Sequence, residues 1–415
     1  MKFIHKVSRV GTVVLFGLLV GISDASGFRN PPETAQGLAL DGGKIAAVKD
    51  ASAIGANPAN IVGIERPNLI GSLTLIHSEA EFESAPGTAT TDDPWKALPN
   101  LFFAFPVEAN QMSLGVALTT PFGQSTVWEK DSILRYSAPY ESELSIVNVN
   151  PTFALRTSDR SALGLGLDVF SGELILRQFL PWARVTGNPA APDGLMKFDA
   201  DGSGVGLNMG FRYDLTERQQ VGLVYRSPVK VEMEGDFRVN NIPDLRLAAP
   251  KSDFETEIEF PAIAAAGYGI RIDERLHVGA DVEWIEFSRF DQLPVDIGVN
   301  NALLPSPAIP QNWSDTWTFG VAAEYRIDDS WALRGGYKFL ESPIPSSTLA
   351  PSLPDADRHL VTAGVGYRAG AHRVDAAYAY SIFDDRTASG LPDPTLNGIY
   401  ELSSHLFVIT YGIEL

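Results

Sequence analysis

The stretch Asp201-Gly202-Ser203-Gly204-Val205-Gly206 looks most like a chemical motif, because closely spaced glycines let backbone amides approach a phosphate. It completes neither GxGxxG nor a Walker loop, and no helical pattern follows it. Glycines 202, 204 and 206 fall on one face of a strand, where they are expected to make room for a hatch inside a barrel. Nucleophilic chemistry fares no better. There is no Gly-x-Ser-x-Gly elbow and no cysteine. His77, His277, His359, His372 and His405 have no partner at metal-ligand spacing. No cofactor, metal or catalytic residue is therefore expected. What remains is a set of isolated cations, Arg226, Arg334, Lys338 and Arg373, with Glu324, Asp281, Glu283 and Asp375 on the same strand faces. Buried charges are usually paired, so these are expected to form ion pairs that hold an internal segment. The sharper alternative is that one of them meets a ligand carboxylate.

The elements carrying these residues alternate with period two. Trp317, Phe319, Val321, Ala323 and Tyr325 are apolar, with Thr318, Gly320, Ala322 and Glu324 between them. Phe407, Ile409, Tyr411, Ile413 and Leu415 alternate in the same way with Val408, Thr410, Gly412 and Glu414. Successive side chains of a strand point to opposite faces, so both segments read as strands. The second face mixes small residues with charges of both signs, as a barrel lumen would. Aromatic residues near strand ends (Trp284, Trp317, Trp331, Tyr337, Tyr380) suit the girdles at membrane interfaces.

The pattern yields about fourteen strands between residue 67 and the end. Long gaps (83–97, 121–141, 179–199, 237–254, 291–312, 344–356, 386–400) alternate with turns of a few residues, the arrangement of outer-membrane barrels with long extracellular loops and short periplasmic turns. The fold class is thus all-β, a transmembrane antiparallel barrel over 67–415. Residues 1–25 read as a signal peptide: Lys2, Lys6 and Arg9 precede an apolar run, Val10–Ile22, too short to span a bilayer. A short membrane anchor is the alternative. Residues 26–66 are rich in Ala, Gly and Asn without alternation and are expected to form a hatch, or plug, inside the lumen. The net charge of −19 argues against nucleic acid as a partner.

Several stretches resemble the outer-membrane long-chain fatty acid transporter family, which includes toluene and xylene uptake channels. They are Asp50-Ala51-Ser52 with Asn57-Pro58-Ala59, Pro121-Phe122-Gly123, Arg135-Tyr136, Asn150-Pro151, and the segments 221–237, 259–270, 282–290, 313–345 and 353–368. Their order and coverage make the match specific. One departure is the carboxyl terminus, Leu415, where such barrels commonly carry an aromatic residue. The resemblance implies a fourteen-stranded barrel, a hatch, a hydrophobic small-molecule ligand, and sideways exit through a gap at a kink in the third strand. Outer-membrane lipid, lipopolysaccharide and the barrel assembly machinery are the other expected partners, and a monomer is expected. Phe122, Val127, Trp128, Ile133 and Leu134 would capture ligand at an extracellular loop. Asn57, Pro58 and Ala59 would anchor the hatch near the third strand, where Gly115 would permit the kink. A general diffusion porin, or less readily a barrel enzyme, is the competing reading.

Overall fold

Segments that alternate with period two cannot hide one face alone. They pair edge to edge until the sheet closes. The computed structural model describes residues 27–244, 249–298 and 308–415, so the expected signal peptide lies outside the described residues. It is a closed antiparallel barrel of 14 strands. In chain order these are β1 (Asn68–Ser84), β2 (Trp95–Glu108), β3 (Met112–Val127), β4 (Glu141–Ser158), β5 (Ser161–Leu180) and β6 (Gly194–Thr216). Next come β7 (Gln219–Arg226, continued by Val229–Val239), β8 (Lys251–Phe260, continued by Ile263–Arg271) and β9 (Leu276–Ile285). The last five are β10 (Thr316–Arg326), β11 (Trp331–Leu340), β12 (Arg358–Ala369), β13 (His372–Phe383) and β14 (Gly398–Glu414). Closure is by β1 on β14, in unbroken register from Asn68 opposite Glu414 to Glu83 opposite Ile399.

The two faces separate as the alternation requires. Phe319 and Ile409 are 51% and 57% exposed on the outside, whereas Thr318 is fully buried inside. Turns at one end are short (159–160, 217–218, 370–371), and connections at the other are long. Several loops are shorter than the sequence suggests, among them 179–199, which is 181–193. β3 runs on to Val127 and β7 to Val239, so these connections are 128–140 and 240–250.

Residues 28–66 line the bore. They hold three helical turns, Ala35–Ala39, Lys44–Ala47 and Ala53–Ala56, and a 3-10 stretch, Pro58–Gly63. Isolated helices this short are not stable in water, so contact with the wall must hold them. The wall has glycine where the segment comes closest. A Cβ added at Gly279 would lie 2.8 Å from the Gly43 carbonyl oxygen, and one at Gly320 would lie 2.5 Å from Gly42 Cα. Gly164 and Gly210 stand in the same relation to Pro58 and Asn57. Glycines 202, 204 and 206, expected to serve this purpose, do not. Side chains there would strike Val229, Lys230 and Glu232 of β7. They make room for the second half of β7, which is displaced after the break at Ser227-Pro228.

Candidate functional site

The wall is incomplete beside β3. β2 and β3 pair only as far as Leu101 opposite Leu118, and the rest of β2 from Trp95 to Asn100 has ladder pairing with β1 alone. On its other side β3 slips register against β4 between Thr119 and Phe122. Pro121 lies in that interval. It has no N–H to give to a ladder, so the strand bends there and leaves an unpaired edge. The kink expected at Gly115 is therefore at Thr119–Pro121. At Gly115 the pairing is regular, to Ala104 and Thr152. The absent side chain of Gly115 instead admits Ile54, whose Cδ1 would be 2.7 Å from an added Cβ.

The start of the inner segment takes the vacant edge. Asn30 N donates to the Pro121 carbonyl at 3.0 Å, and Gly123 N donates to the Phe28 carbonyl at 2.9 Å. The Asn30 side chain donates to the Thr120 carbonyl at 2.8 Å, and Thr120 N donates to Asn100 Oδ1 at 3.1 Å. Few backbone hydrogen bonds, rather than a full strand, close the wall here.

Phe28 anchors that clip. Its ring is 2% exposed. It lies 4.9 Å from the ring of Trp313, 5.2 Å from Phe260, 5.3 Å from Phe290, 5.8 Å from Phe287 and 6.1 Å from Phe122. Asp355, on the long loop 341–357, accepts from Gly27 N at 3.0 Å and from Ser342 Oγ at 2.9 Å. Burial raises the Asp355 carboxyl to about 6, against the pull of nearby Arg358.

Below the aromatic cluster lies a cavity of about 60 Å³. Phe122, Phe170 and Phe260 form its apolar side, Arg29, Asn148, Asp168 and Arg226 its polar side, and Thr119 and Pro121 border it at the kink. Such a space holds roughly two waters. A hydrocarbon or acyl chain fits only if part of the lining moves.

The four lumen cations are paired. Arg334 reaches Glu324 and Asp375, each at 2.7 Å. Lys338 reaches Asp41 at 3.2 Å and Glu283 at 3.4 Å. Arg373 reaches Asp50 at 2.7 Å and Asp375 at 2.5 Å. Arg226 reaches Asp168 at 3.5 Å and donates to the carbonyls of Ile54 and Gly55. Three of the four thus tie wall to inner segment, through Asp41, Asp50 or main-chain oxygens, none of them expected from the sequence as a partner. Asp281, expected as a partner, accepts from Ile45 N at 3.3 Å.

The remaining expected residues sit differently from their assignments. Asn57 caps the 3-10 stretch, accepting from Ala59 N at 3.1 Å, and its Nδ2 donates to the Phe211 carbonyl at 3.1 Å. With Pro58 and Ala59 it rests on Gly164 of β5 and Gly210 of β6, away from the β3 kink. Phe122, Trp128 and Leu134 are buried, while Val127 and Ile133 are half-buried. Trp128 Nε1 donates to the Pro351 carbonyl at 2.8 Å. The expected capture surface is therefore a closed apolar cluster at the long-loop end rather than an open groove. Phe28, Phe260, Phe287 and Trp313 were missed. The signal for Phe28 was a lone aromatic heading a segment of small residues.

Comparison with known proteins gives an independent reading. A family model described as outer membrane protein transport protein (OMPP1/FadL/TodX) matches residues 17–413. The long-chain fatty acid transport protein of Salmonella typhi is 25% identical over 353 residues, 78% of this chain and 80% of that one. A solved FadL homologue of Pseudomonas aeruginosa shares the fold with a TM-score of 0.82 at 20% identity, covering 94% of this chain and 99% of that one. The Ralstonia pickettii toluene transporter TbuX gives 0.72 at 18%, covering 94% and 99%.

Proposed function

The chain belongs to the outer membrane protein transport family (OMPP1/FadL/TodX), and from that premise we propose that it takes up a hydrophobic small molecule and releases it sideways into the outer membrane. The molecule is a long-chain fatty acid or a hydrocarbon. These are the ligand classes named for the relatives. The observation that carries the reading is the gap between β2 and β3, held shut by Phe28–Asn30.

The long loops face outward and the short turns face the periplasm. A ligand entering the apolar cluster at the long-loop end competes with the Phe28 ring for the same aromatic neighbours. When that ring leaves, the bonds from Phe28 and Asn30 to β3 go with it, and the cavity bordered by Thr119 and Pro121 opens towards lipid. Asn57, Pro58 and Ala59 hold the base of the inner segment against β5 and β6, so only its beginning needs to move. The buried inner segment speaks against a general diffusion pore.

The test uses the absence of native cysteine. A Cβ added at Gly123 would lie 3.3 Å from Asn30 Nδ2, so Asn30→Cys with Gly123→Cys can join the clip to β3. Uptake of labelled oleate and of toluene should stop in the oxidised double variant and return on reduction. Equal uptake in both states would discard the lateral route.

A further inference from the structure

At the turn end the lumen widens into a cavity of about 840 Å³, within the usual ~300–1,000 Å³ of small-molecule sites. Its lining carries seven Lys and Arg against six Asp and Glu, near balance in a molecule whose net charge is −19. Four cations of its inner lining are Lys49 of the inner segment, Arg212 on β6, Arg271 on β8 and Arg326 on β10. The carboxylates on the same strand faces are Asp214 and Glu324, and both are engaged. Asp214 accepts from Arg212 at 3.1 and 3.0 Å. Glu324 accepts from Arg326 at 3.3 Å and from Arg334 at 2.7 Å. Among the described residues Lys49 and Arg271 have no carboxylate within ion-pair distance, and the Arg271 guanidinium donates only to the Glu217 carbonyl. The rim is mixed, with Asp159, Glu217, Asp273 and Glu274 beside Arg160, Arg218 and Arg275. Lys49 projects into this space from the inner segment. Its ammonium is lowered to about 8, first by enclosure within the wall and then by repulsion from Arg212, with Arg271 and Arg326 adding to it against the pull of Asp214.

We propose that this periplasmic vestibule is a binding site for the anionic group of a small molecule, a carboxylate or a phosphate, held by Lys49 and Arg271. Both residues present donors to a space large enough for a headgroup and a short chain. An anion there would satisfy charges that the protein itself leaves unpaired, and a pair of cations holds one oxyanion better than either does alone. The site is separate from the cavity at the β3 kink and does not depend on lateral release.

The depressed ammonium makes Lys49 a reporter. In the folded, detergent-solubilised protein at pH 8, dilute acetylating reagent should modify Lys49 faster than exposed Lys251, as read by peptide mass spectrometry. Inorganic phosphate or sodium octanoate, each compared with sodium chloride at equal ionic strength, should slow Lys49 acetylation about threefold at twice its dissociation constant and leave Lys251 unchanged. Protection by phosphate alone assigns a phosphate ligand, and protection by octanoate alone assigns a carboxylate amphiphile. Arg271→Gln should remove the protection. The solvent-facing Lys49→Gln should keep heat-modifiable migration of the folded barrel and lose calorimetric binding of the protecting anion. Equal labelling in all three salts, or protection that survives Arg271→Gln, overturns the proposal.

Discussion

Phe28→Ala asks whether one ring keeps the wall shut. The ring is 2% exposed and has five aromatic neighbours within 6.1 Å. Truncating a buried phenylalanine to alanine costs roughly 3–5 kcal/mol. The lower figure applies here, because Phe287, Phe290 and Trp313 lie on the long connection 286–315 and can close in on the space. The bonds from Asn30 and Phe28 to β3 and from Gly27 to Asp355 remain, each worth about 1 kcal/mol, so the clip is loosened rather than removed. A loss of about 3 kcal/mol multiplies the open population by roughly 100. The Gly123 amide, which donates to the Phe28 carbonyl, reports that population directly. Its hydrogen exchange should accelerate by about two orders of magnitude in Phe28→Ala, while Gly115 in the regular part of β3 is unchanged. Two results would refute the reasoning. One is an unaltered rate at Gly123. The other is an equal rise at Gly115, which would mean that the barrel as a whole had loosened.

Val321 sits midway along the outer face of β10, between Trp317 and Tyr325. Arginine at Val321 should cost roughly 2–4 kcal/mol and arginine at Tyr325 only ~0–1, read from urea unfolding in lipid vesicles; equal costs would misplace the membrane. Gly164→Val puts a side chain where the Pro58–Ala59 backbone lies. It should dislodge the base of the inner segment and raise single-channel conductance in planar bilayers, and an unchanged closed channel would count against the plug. Asp355 predicts a pH response. With its carboxyl raised from 3.8 to about 6 in the folded protein, the protonated form is favoured by folding. The stabilisation is complete below the unfolded value and fades as pH rises through the folded one. Linkage then gives a clip about tenfold tighter at pH 5 than at pH 7. Gly123 exchange, corrected for its intrinsic rate, should show this, and Asp355→Asn should flatten it.

The barrel was legible because period-two alternation and turn residues are local signals, and a closed sheet leaves every strand the same task. The alternation places Phe319 outward and Thr318 inward without any long-range information. The kink was misread because glycine was taken as the agent of bending. The three interrupted strands break at Pro121, Pro228 and Pro261, each unable to donate to a ladder. Those prolines were visible, but what fills the freed edge was not, because the bonds from Phe28 and Asn30 join segments some ninety residues apart. Separations of 297 and 323 residues hide Asp41 and Asp50 as partners of Lys338 and Arg373. The loop residues were expected to capture ligand because apolar composition does not tell a groove from a packed cluster. Only the contact from Trp128 to Pro351 decides that.

The glycines facing the inner segment give the bore a smooth lining. Gly164, Gly210, Gly279 and Gly320 meet it with backbone, so nothing there interlocks like the teeth of a rack. Fit around the girth is close, and charged contacts pin the segment to the wall along its length: Arg29 on Glu283, Lys338 on Asp41, Arg373 on Asp50, and Arg226 on the carbonyls of Ile54 and Gly55. A piston in a plain sleeve, held by detents of opposite charge, does not creep. Its seating therefore rests largely on those charges.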